Sequence, residues 1–209
     1  MSEQRERELI AQECARIMLD EGVRDYAAAK RKATQRLMVE GRANLPSNLE
    51  IEAAMLERRR LFADPAELGE LQWLRETALA VMHRLKGFEP RLVGAVLKGT
   101  AGVGARPTVH VFADTPEELL FALMERGLRY REAERVQRVA GGQQSLPSVV
   151  LRLQGVEVEA VVFPRDGLRQ APPSPVDGRP MRRADVREVA VLVEGRLGDI
   201  IEDSERLAV

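Results

Sequence analysis

The chain has 209 residues, 32 Lys and Arg against 33 Asp and Glu, 44% hydrophobic residues, 4% aromatic and a single Cys. That length suits one large domain or two small ones with a real core, and a net charge of −1 excludes nucleic-acid affinity driven by bulk positive charge. One cysteine, Cys14, and two histidines, His83 and His110, exclude an internal disulfide framework and a thiolate metal cage.

Residues 1–87 are expected to form a helical N-terminal domain. Leu9, Ile10, Cys14, Ile17 and Met18 recur at helical spacing up to Gly22, and Asp25 to Val39 places Tyr26, Ala29, Ala33 and Leu37 on one side. Gly41 to Pro46 reads as a loop. Ser47 with Glu50 has capping-box spacing, and Asp64-Pro65 with Glu67 repeats a helix start, running to Gly87. The character then changes, and residues 88–163 read as an α/β unit. It comprises a β-like run Arg91–Lys98, a glycine loop 99–107, a strand Thr108–Phe112 and a helix from Thr115-Pro116 to Gly127. Strand-like runs follow at Leu128–Val139, Val149–Leu153 and Val156–Phe163, with turns at Gly141-Gly142 and Gly155. Residues 164–209 begin as a loop, with five prolines and two glycines in 164–180, and end in a short helix over Asp185–Leu197 that packs on the unit. The fold class expected is α+β. No run reaches the length of a membrane span, and the charged start Met1–Arg5 lacks a signal-peptide core, so a cytoplasmic location is expected.

Gly99-Thr-Ala-Gly-Val-Gly104 has the glycines of a phosphate loop but is followed by Ala105 and Arg106, not by Lys and Ser or Thr. A better match takes Gly94 through Phe112 as strand, glycine-punctuated loop and strand. This unit resembles the nucleotidyltransferase fold, in which a Gly-Ser pair opens the unit, two carboxylates stand one residue apart on the second strand, and a third comes from a later strand. The resemblance implies a mixed sheet with flanking helices and, in active members, two magnesium ions bridged by the three acids. Here the pair is Gly94-Ala95, the second glycine is Lys98-Gly99, and the strand positions hold Arg106 and Thr108. Glu159 fits the third position, with Glu157 as its rival. The whole chain also resembles a family of bacterial proteins of this size with no assigned reaction, which share a C-terminal Asp-Gly-Arg-Pro-Met-Arg-Arg stretch, here Asp177–Arg183.

A guanidinium at a metal position repels a dication, but it can fork onto a phosphate directly. The leading expectation is therefore a degenerate, non-catalytic protein of this fold. It would bind a nucleotide, a phosphate group or a macromolecular partner without metal, through Gly94, Lys98, Gly99, Thr100, Arg106, Thr108 and His110. Arg165, Arg179, Arg182 and Arg183, on the loop leaving the Glu159 strand, are candidates for a lid. The second reading is an active magnesium-dependent nucleotidyltransferase with rearranged acids Asp114, Glu157 and Glu159. The third is an RNA-associated helical adaptor using Lys30-Arg31-Lys32, Arg36 and Arg58-Arg59-Arg60. Only four of the 32 basic residues are lysines (30, 32, 86 and 98), and most of the arginine excess reads as composition. His83 has no partner in sequence and no assigned role.

Overall fold

A computed structural model describes residues 2–39, 44–139 and 142–195. The fold is α+β: seven α-helices and one five-stranded mixed sheet among the described residues.

The first helices start where local chemistry places them. Ser2 caps α1 (Glu3–Asp20), Asp25 caps α2 (Tyr26–Leu37), and Ser47 and Glu50 close a full capping box on α3 (Asn48–Phe62). Asp64 accepts from the Glu67 amide, with Pro65 opening α4 (Pro65–Arg84). Helices α1, α2 and α3 bury Ile10, Cys14, Ile17, Ala29, Ala33, Ile51 and Met55 in a core of their own. Helix α4 belongs elsewhere. Its Leu71, Leu74, Ala78, Val81 and Met82 share the main core with the sheet.

The β-like run 91–98 divides. Only β1 (Arg91–Val93) is extended; Gly94, at φ +73°, turns the chain into a short helix, α5 (Gly94–Lys98). Strand β2 (Thr108–Phe112) follows the glycine loop, and α6 (Pro116–Glu125) follows β2. Then come β3 (Tyr130–Val139), β4 (Gly142–Leu153), β5 (Val156–Phe163) and α7 (Val186–Glu194). Strand β4 begins earlier than the apolar run 149–153 suggests, because residues 142–147 pair with β3 alone. Pro147 falls where β4 leaves β5, on an open flank that tolerates it. The expected positions Gly41, Gly141 and Leu197 lie outside the described residues.

The sheet order is β1-β2-β5-β4-β3, with β2 and β5 parallel and every other pair antiparallel. Alternation gives it two faces. Val109, Val111, Val158, Ala160 and Val162 join the main core with α4, α6 and α7. The opposite face carries Thr108, His110, Glu159 and Arg135, and it is turned toward the α1–α3 layer. No described helix is long and apolar enough to cross a membrane.

Candidate functional site

A cleft of about 260 Å³ lies between that second sheet face and helices α1–α3. One wall is largely apolar, with Met18, Tyr26, Met55, Val176 and Met181; the other is polar. Six of the seven expected binding residues line it: Gly94, Lys98, Thr100, Arg106, Thr108 and His110. Gly99 does not; at φ +78° it ends α5 in the left-handed region.

Strand register explains how distant residues converge. Thr108 pairs directly with Glu159 across the parallel β2–β5 ladder, so the three positions that the expected resemblance would give to acids meet in one place. They hold Arg106, Thr108 and Glu159. The carboxylate that remains is already engaged: Glu159 is buried, accepts from Arg135, and takes the Ser148 hydroxyl at 3.4 Å. Arg106, which lines the cleft, donates at 2.8 Å to Glu157, which does not, in an exposed pair. Lys98 is held differently. Its ammonium sits 3.1 and 2.9 Å from the two oxygens of Glu52, which is only 4% exposed, so this half-buried pair ties α5 to α3.

The rearranged acids do not assemble. Glu157 and Glu159 share one face of β5, but Asp114 lies six residues beyond Thr108, about 20 Å along the strand direction. Arg165 holds Asp114 at 2.8 Å and Glu118 at 3.1 Å at that far end. Among the described residues no three His, Cys, Asp or Glu side chains gather where a metal could sit.

The segment after β5 does reach the cleft, but not with its arginines. Ser174, Pro175, Val176 and Met181 line it, and Asn48 donates to the Pro175 carbonyl at 2.8 Å, tying the segment to α3. Of the expected lid residues, Arg165 is at the far end, Arg179 is an exposed neighbour of Asp177, and Arg182 lies near Glu188. Arg183 is an anchor. Its guanidinium lies 5.0 and 5.1 Å from the Phe112 and Phe163 ring centres, and it donates to His110 Nδ1 at 3.1 Å and the Gly167 carbonyl at 2.7 Å. Burial, then Arg183 and Arg135, push the His110 imidazole down to about 3, so it is neutral at pH 7 and accepts through Nδ1.

The cationic helix faces are largely occupied. Lys32 and Arg36 pair with Glu21, Arg36 also with Glu13, and Arg58 with Asp20 at 2.8 Å. Arg59 is buried against the Ala101 carbonyl. Cys14 is fully buried, which pushes its thiol up to about 11, and it plays no part in the cleft.

Sequence reasoning missed four contributors. Arg135 and Gln137 reach the cleft from β3, and their signal was a shared face at i, i+2. Tyr26 was read as core; burial and the nearby Glu52 raise its phenol, which stays protonated. Glu52 stands beside Ile51 on α3, and nothing local in the sequence marks it as a buried acid. No protein-family model matches the chain, and no curated protein matches its sequence.

Proposed function

We propose that the chain is a degenerate nucleotidyltransferase-like protein of the bacterial cytoplasm that binds a nucleotide or another phosphorylated ligand in this cleft without two-metal catalysis. One observation carries the reading: Arg106, Thr108 and Glu159 occupy the converged positions, and the only acid among them is spent on Arg135. The charge of the lining fits an anion, with Arg24, Lys98, Arg106 and Arg135 against Glu52 and Glu159. Arg106 is the residue best placed to change partner. Its pair with Glu157 is solvent-exposed and so contributes about 1 kcal/mol at most. A phosphate offers the same fork two charged oxygens in a more enclosed place. The Lys98–Glu52 pair would stay closed and serve as the wall, while Tyr26, Met18 and Met55 supply an apolar surface for a base or similar planar group.

Calorimetry with ATP, with magnesium and with excess chelator, tests this directly. Binding should persist in chelator, and Arg106→Glu should weaken it on the order of tenfold or more. Absence of binding, or binding that requires magnesium, would overturn the reading. The adaptor reading finds less support, because Lys32, Arg36 and Arg58 are held on acids of the chain and Arg59 is buried.

A further inference from the structure

The two edges of the sheet are treated differently. At β1 the outer edge is closed: Leu92 and Ala184 exchange both backbone hydrogen bonds, at 2.8 and 2.9 Å. At β3, no strand or bridge among the described residues pairs with the outer edge. An open edge ten residues long is a template for another strand, and proteins usually blunt it with charge. The charges on β3 are arranged otherwise. Arg135 and Gln137 line the cleft, so alternation puts Glu134, Val136 and Arg138 on the opposite face, and all three are exposed, Val136 by 65%.

That triplet is self-complementary. When two copies of β3 run antiparallel with Val136 opposite Val136, each Glu134 falls opposite the other copy's Arg138. The apolar side chain meets its own mate at the two-fold axis, and an opposite-charge pair flanks it on both sides. On the cleft face the favoured register sets Arg135 beside the second copy's Gln137. We infer that the chain self-associates through β3, joining two five-stranded sheets into one of ten strands about a two-fold axis at Val136. Both clefts then open on the same face of the continuous sheet, either side of the junction. The inference stands apart from what the cleft binds.

Sedimentation of the full chain over a range of concentrations tests it. A reversible monomer–dimer equilibrium is expected for the natural sequence. Glu134→Arg or Arg138→Glu alone puts like charges opposite each other at both symmetric pairs and should weaken the dimer on the order of tenfold or more. The double variant E134R/R138E restores opposite charges and should recover the dimer, a result that a merely structural role for these residues does not produce. A chain monomeric at every concentration overturns the inference. So does a dimer indifferent to both single reversals, which would use another surface, or a double variant that fails to recover.

Discussion

Arg75 sits in the apolar stripe of α4, between Leu74 and Ala78, and is fully buried. Its guanidinium donates to the carbonyls of Val96 and Leu97 at 3.1 Å each, holding the end of α5 beneath the cleft. Arg75→Met keeps the apolar stem but removes these donors. A buried carbonyl left without a donor costs about 1–3 kcal/mol, and relief of burying the charge offsets part of this, so a net loss of about 2–3 kcal/mol is expected in urea denaturation. His110 gives a second residue-scale expectation. Its folded value of about 3 lies below the ordinary 6.5, so the unfolded chain binds the extra proton between them. Stability is therefore fully present above pH 6.5 and falls as pH drops toward 3. The slope approaches about 1.4 kcal/mol per pH unit. Denaturation midpoints at pH 7.5, 6.5 and 5.5 check this above the range where ordinary carboxylates titrate, and His110→Gln should flatten the profile.

At the scale of elements, the glycine loop 99–104 packs tightly on the end of α1. A Cβ on Gly102 would stand 2.2 Å from the Met18 carbonyl oxygen and 2.8 Å from that of Leu19, and the Val103 amide donates to Leu19 at 2.8 Å. Gly22 meets the same loop at φ +67°, and a Cβ on it would stand 2.6 Å from the Val103 carbonyl oxygen. These two glycines let the end of α1 sit directly on the loop and join the helical layer to the sheet unit. Gly102→Ala must push backbone from backbone, so a loss of about 3 kcal/mol is expected. Gly69→Ala is the counter-case. It lies within α4 with nothing near its would-be Cβ and should raise stability by about 0.5–1 kcal/mol. Equal effects from both substitutions would show that the loop does not bear on α1. The starts of the helices were legible because a cap acts over three residues. The length of β4 was not, because its first half is fixed by β3 rather than by apolar content of its own.

Across the whole molecule, one core lies inside α1–α3, a second fills the sheet face away from the cleft with helices α4, α6 and α7, and a small cluster of Phe112, Leu146, Val161 and Phe163 lies on the cleft-side face. The cleft's polar wall comes from four chain segments: α5 with its glycine loop, β2, β3 and β5. The sequence by itself determined the α+β class, most element starts, the faces of β2 and β5, and that positions 106 and 108 carry no acid. Capping, alternation and residue identity all act within a few residues of where they are read. Only the tertiary structure decided which charges are available. Lys98 lies 46 residues from Glu52, Arg106 lies 51 from Glu157, and Arg135 lies 24 from Glu159. Pairing over such distances depends on strand register and on how helices lie across the sheet, and single-residue chemistry carries neither. It is this pairing that leaves Arg106 on an exposed partner while Lys98 and Arg135 are held on carboxylates that line the cleft.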